Sequence, residues 1–154
     1  MPAELSKSVA RRWFESSSYR ARLDRAMLQG DPATAREVFF RTLVDEIFDP
    51  GCVMHFPDGD GNADRILRSH LSLLDAFPDL AFVVDDLIAE GDRVAVRGKM
   101  SGTNTGPFRG MPPSGKRVAM GFITICRIRN GKIAETWGCN DMPGLLRQLG
   151  VRPE

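Results

Sequence analysis

The chain has 154 residues, a formal net charge of +1, 42% apolar residues and 27% charged residues. That length supports one hydrophobic core and excludes two ordinary ones, so a single domain over 1–154 is expected, with 1–30 as an N-terminal helical extension. Lysines and arginines are scattered among acids, which argues against nucleic acid as a partner, and no apolar run reaches the length of a signal peptide or a membrane span, which predicts a cytoplasmic protein away from membranes.

The first third reads as helix. Val9, Trp13 and Phe14 fall on one helical face, and Tyr19, Leu23 and Met27 on another. The stretch QGDP ends that segment and opens the next, with Asp31 at the N-cap and Pro32 in the first turn. Ala35, Phe39, Leu43 and Ile47 form an i, i+4 stripe that Asp49-Pro50-Gly51 stops, and CVMHF then reads as a short strand ended by Pro57. From Ala63 another helix carries Ile66, Leu67, His70, Leu71, Leu74 and Phe77 toward a core and ends at Pro78.

After Pro78 the period changes. LAFVVDDLIAE, RVAVRGKM, RVAMGFITICRIR and KIAETWGCN are strand-like, joined by Gly91-Asp92, by a Gly/Pro-rich loop and by Asn130-Gly131, a type I′ hairpin signal. Strands in this succession predict an antiparallel sheet, and MPGLLRQLG predicts a closing helix capped by Gly150. Helices first and a meander afterwards is an α+β pattern.

Three tempting motifs fail on their chemistry. Gly110 to Lys116 reads G-x-x-x-x-G-K, but Arg117 stands where a P-loop needs Ser or Thr, and a strand follows where it needs a helix. DGDGNAD, Asp58 to Asp64, starts like a calcium loop, yet Ala63 holds the glycine position and Ser69 that of the bidentate Glu, so it is read as a turn. Cys52, Cys126 and Cys139 are too few and too widely spaced for a disulfide framework or a zinc site, and no metal or cofactor is expected.

The segment FPDLAFVVDDLIAEGDRVAVRGKMSGTNTGPFRGMPPSGKRV, followed by RIRNGKIAETWGCNDMPGLLRQLG, resembles the SnoaL-like polyketide cyclase family of the NTF2-like superfamily. Gly102-Thr103, Thr105-Gly106, Gly110, Pro112-Pro113, Gly115-Lys116 and Gly131-Lys132-Ile133 carry the resemblance. It implies an NTF2-like cone: a strongly curved antiparallel sheet with N-terminal helices packed on its concave face. It also implies a homodimer formed through the outer sheet face, and a cofactor-independent cyclase or isomerase acting on a polyketide-like or other apolar carbonyl or epoxide molecule. The other function considered is a small-molecule-binding module that has lost its acid and base.

That alternative arises because the aligned positions of the family's proton-transfer groups are occupied here by Gly138, Thr136 and Thr124, and the loop histidine by Asn104. His55, next to Phe56, and Asp141 are therefore the expected catalytic residues. Asp141 also stands where a helix N-cap belongs. Met120, Phe122 and Thr124 alternate on one strand face and are expected to bind substrate, with Phe56, His70, Asn104, Trp137 and Arg97, the last as a clamp for an enolate or carboxylate.

Overall fold

Capping chemistry sets the helix boundaries in the computed structural model, which describes residues 2–152. Helix α1 (Ala3–Phe14) and a 3-10 turn at Ser16–Ser18 lead into α2 (Arg20–Met27). Helix α3 (Pro32–Ile47) begins where the Asp31 carboxylate accepts the Thr34 amide at 2.9 Å, and α4 (Ala63–Ala76) where Asn62 accepts the Arg65 amide at 3.1 Å. Caps of this kind contribute about 1 kcal/mol each. The last helix, α5 (Met142–Gln148), ends with Gly150 at φ +89° and the Val151 amide bonded back to Leu146, the Schellman arrangement that glycine makes inexpensive. No helix among the described residues is long and apolar enough to cross a membrane.

Six strands form one sheet: β1 (Phe48–Phe56), β2 (Gly59–Gly61), β3 (Ala81–Glu90), β4 (Arg93–Thr103), β5 (Arg117–Arg129) and β6 (Lys132–Asn140), in the order β2-β1-β6-β5-β4-β3. The last four are the predicted antiparallel meander, turned at Asn130-Gly131 with φ of 52° and 75°. The sheet is nevertheless mixed, because β1 runs parallel to β6, with His55 opposite Trp137. Alternation along a strand reveals which face a residue occupies and carries no information on direction, so the all-antiparallel expectation is corrected here. Strand β1 also starts earlier than expected. Asp49-Pro50-Gly51 lies inside it as an irregularity, with Asp49 accepting the Gly51 amide at 2.8 Å.

One sheet face is covered by helices and the other is bare. Val118, Met120, Phe122, Thr124, Cys126 and Ile128 on β5 are buried, whereas Ala119, Gly121, Ile123 and Ile125 point outward. Trp13 of α1 meets Phe40 of α3 and Phe48 of β1 edge-on, and Phe40 and Phe48 are sealed from solvent. Each such ring removes enough apolar surface from water to stabilise the fold by about 1.5–3 kcal/mol. A register shift between Val84 and Asp86 bends β3 beside Gly98, whose missing side chain leaves room for the Phe122 ring. The result is an α+β cone with its wide end open.

Candidate functional site

The open end is a cavity of about 740 Å³. Its floor is aromatic, made by Trp13 and Phe14 of α1, Phe82 of β3 and Phe122 of β5. Met120 and Thr124 of β5 and Thr136, Gly138 and Asn140 of β6 form the sheet wall. Helix α4 supplies the opposite wall with Arg65, Ile66, Ser69, His70 and Leu73. Phe56, Asp58, Phe108 and Arg109 frame the mouth. A concave, mainly apolar chamber with few polar groups is the form a small-molecule site takes.

His70 joins Thr124 and Thr136 as the buried polar side chains of that lining, and of the three it alone carries a titratable group. Its ring is held by Phe40 at 4.4 Å, Trp13 at 5.1 Å and Phe82 at 5.6 Å between centroids, one aromatic from each of three elements. Burial pushes its pKa down to about 3, and the nearby Arg20 and Arg36 add to the effect, so the ring is neutral across the physiological range. Its Nε2 is buried without a hydrogen-bond partner, an arrangement that costs about 1–3 kcal/mol.

Charge collects at the mouth. Arg65 bonds the Asp58 carboxylate at 2.8 Å, donates to the carbonyls of Gly59 and Asp60, and covers the Phe56 ring at 4.6 Å. The Arg65 hydrogen bond holds Asp58 below the usual carboxylate range, and Asp58 is the sole carboxylate of the lining among the described residues. The DGDGNAD segment is a turn only at its start: after Asp58 it forms the edge strand β2 and then opens α4, and it brings a fixed ion pair to the rim. Arg109 sits opposite on the Gly/Pro-rich loop. It and Gly110, at φ of 48° and 77°, form a two-residue turn closed by reciprocal Phe108–Met111 backbone bonds. Asp58, Arg65 and Arg109 were not among the residues expected from sequence. The available signal was an acidic turn directly before a capped helix: helical side chains lean toward the N-terminus, so an arginine in the first turn reaches back to it.

Met120, Phe122, Thr124, Phe56 and His70 line the cavity, where they were expected. Thr136 and Gly138 do so as well, so the positions aligned with the family's proton-transfer groups do face the chamber and carry no titratable side chain.

Five other expected residues lie elsewhere. His55 is on the convex face, stacked on Trp137 at 5.4 Å, with its two ring nitrogens bonded to Glu135 at 2.7 Å and Asp60 at 2.9 Å. The Glu135 hydrogen bond is the larger cause of its raised pKa. Trp137 occupies the same outer face, beneath the Arg93 guanidinium at 5.0 Å, because residues on β6 alternate and Thr136 and Gly138 take the inner side. Arg97 points outward too and pairs with Asp86 at 2.5 Å. Asn104 is buried within the loop itself. It receives the Ser114 amide at 2.8 Å and donates to the Gly106 carbonyl at 2.9 Å, fastening the two ends of the Gly/Pro-rich segment. Asp141 caps α5 by accepting the Gly144 amide at 3.0 Å. His55 and Asp141 are therefore not brought together, and neither lines the cavity.

Comparison with known proteins agrees with this geometry. A family model described as SnoaL-like polyketide cyclase matches residues 25–149, a span that includes α4, the Gly/Pro-rich loop and every strand. Among solved structures, AclR from Streptomyces galilaeus, a candidate hydroxylase, is 29% identical at a TM-score of 0.68, with 89% of this chain and 84% of that one covered. IdmH from Streptomyces antibioticus, a candidate polyketide cyclase, is 26% identical at a TM-score of 0.65, over 85% of this chain and 98% of its own. TsrD from Streptomyces laurentii is 26% identical at 0.72, over 97% and 98%. A comparison with curated proteins finds no match. With its matched span reaching well past half of the sequence, the chain belongs to the SnoaL-like polyketide cyclase family.

Proposed function

We propose that the protein is an enzyme of the cyclase or isomerase kind, taking a polyketide-like or other apolar carbonyl or epoxide molecule into the cavity and working by acid/base chemistry without metal or cofactor. The observation that carries this reading is the chamber itself: about 740 Å³, aromatic at its floor and charged only at its mouth. The likeness to IdmH, a candidate polyketide cyclase, supports the substrate class. Asp58 is the proton carrier in this reading, being the one carboxylate of the lining among the described residues and held ionised by Arg65.

A second reading, a non-catalytic binding module, is favoured by Thr124, Thr136 and Gly138, three inward positions without an acid or base. The experiment offers a β-polyketone and an aryl epoxide, follows product by mass spectrometry and measures binding in parallel. Turnover is expected in the native protein, and Asp58→Asn should bind equally well while losing about 10²-fold in rate. Saturable binding with no turnover by the native protein would decide for the module.

We further propose that the protein is a homodimer joined through the convex sheet face. Across that face the register aligns Ile88, Ala95, Ile125, Trp137 and His55 in one row, and Ile88, Ile123 and Ile125 stay exposed. Sedimentation should give twice the chain mass, and Ile125→Asp should halve it. A native protein that still sediments as a monomer at about 100 μM, well above the dissociation constant of a working dimer, removes the proposal.

A further inference from the structure

Three buried side-chain atoms among the described residues have no hydrogen-bond partner: Ser6 Oγ, Arg36 Nε and His70 Nε2. Of these three residues, His70 alone lines the cavity. Trp13, Phe40 and Phe82 box the ring from three separate elements, with Arg20 and Arg36 near enough to be felt as charge. A phenylalanine would fill the same box without leaving an unpaired nitrogen. The imidazole therefore costs stability as the protein stands, the kind of cost that proteins keep at sites of function.

We propose that His70 is the oxygen-reading group of the cavity, its ring N–H donating a hydrogen bond to a carbonyl oxygen at the buried end of an otherwise apolar ring-containing ligand. This rests on the small-molecule reading of the cavity and names the ligand feature selected there. An uncharged imidazole suits the role. It offers one N–H donor without the desolvation penalty that an ammonium or guanidinium would suffer among aromatic rings. Burial of the group, with Arg20 and Arg36 nearby, disfavours a second proton, so the ring polarises a carbonyl rather than protonating it. The aromatic box fixes the ring plane before the ligand arrives, which is the preorganisation that makes a donor selective. His70 is thus a binding residue whose partner is oxygen, and the surrounding apolar wall accepts the ring system that carries it.

The two histidines of the chain make the test direct. Protein labelled with ¹⁵N-histidine is titrated with 1-tetralone, a bicyclic ketone, and with tetralin, the same skeleton without oxygen. Tetralone should bind about tenfold more tightly than tetralin, as one hydrogen bond from a dry site allows. The His70 nitrogen resonances should move with tetralone only, while those of His55 on the convex face stay in place. In His70→Phe the preference should fall to about twofold or less, and His70→Gln, which keeps a donor, should retain part of it. Should the phenylalanine variant fail to fold, the resonances of the native protein and the glutamine variant decide. Equal binding of both probes to the native protein, with no His70 response, overturns the inference and leaves the cavity reading intact. Binding of neither probe overturns both.

Discussion

Gly106→Ala should lower the melting temperature by about 6–12 °C. A Cβ at this position would lie inside contact distance of the Asp75 backbone carbonyl, with the Ala76 Cα 3.3 Å away, so the obstacle is the end of α4 and cannot swing aside. The Gly106 amide donates to the Ala76 carbonyl at 3.2 Å, and Asn104 binds the Gly106 carbonyl, which leaves the loop no slack to retreat. Clashes against fixed backbone belong to the costly class of substitutions, about 3 kcal/mol, and a chain of this size loses about 2–4 °C for each kcal/mol. Ligand affinity should fall as well, because Phe108, two residues on, lines the cavity. Gly121→Ala is the control: a Cβ there meets nothing within 4 Å, and the melting temperature should hardly change. A loss under about 2 °C for Gly106→Ala, less than one kcal/mol would produce, would mean that the loop does not dock on α4 as described.

That loop illustrates how far the sequence could be read. Its glycines and prolines announced a structured connection between two strands, and it is one. What holds it is a single residue, Asn104, whose backbone and side chain together bond Gly106, Ser114, Gly115 and Lys116. Composition does not say whether a buried amide faces a ligand or its own loop. The inward faces of β5 and α4 were legible because period and burial coincide there: Met120, Phe122 and Thr124 alternate, and His70 falls on the apolar stripe of its helix. Strand β6 resisted the same treatment. Glu135 and Trp137 on one face and Thr136 and Gly138 on the other offer no hydrophobic contrast, so the aromatic ring was a poor guide to the inner side. His55 followed the same pattern. It shares its strand with the inward Met54, but the pleat turns it toward Trp137 and Glu135. Parallel pairing of β1 with β6 was also out of reach, since it depends on where the intervening elements carry the chain before it returns.

Gly138→Asp should place a working base inside the cone. The position lines the cavity, and a Cβ built there meets only Thr124 Oγ1 at 3.4 Å and the Phe56 ring at 3.8 Å or beyond, which is ordinary contact. Its backbone is not in the left-handed region, so an L side chain is admitted without strain. The carboxyl would enter a chamber walled by Met120 and Phe122, where loss of hydration favours its neutral form and raises its pKa. Thr124 Oγ1 is the nearest hydroxyl and can donate to the ionised form, limiting the rise. A carboxyl with a raised folded pKa weakens the fold as pH climbs through the range in which it ionises. The variant should therefore be close to Gly138→Asn in stability at about pH 4 and fall behind it by about 1–3 kcal/mol at about pH 8, as thermal melting at the two pH values would read. Against that cost stands a positioned proton acceptor. For a carbonyl substrate that the native protein binds, proton abstraction should quicken by about 10²-fold or more, with the rate rising through the displaced pKa of the introduced carboxyl. The asparagine variant has the same shape without the base and should stay at the native rate. If the two variants turn over equally, the sheet wall at Gly138 does not face the reacting carbon, and the proton must be taken from the mouth, where Asp58 stands.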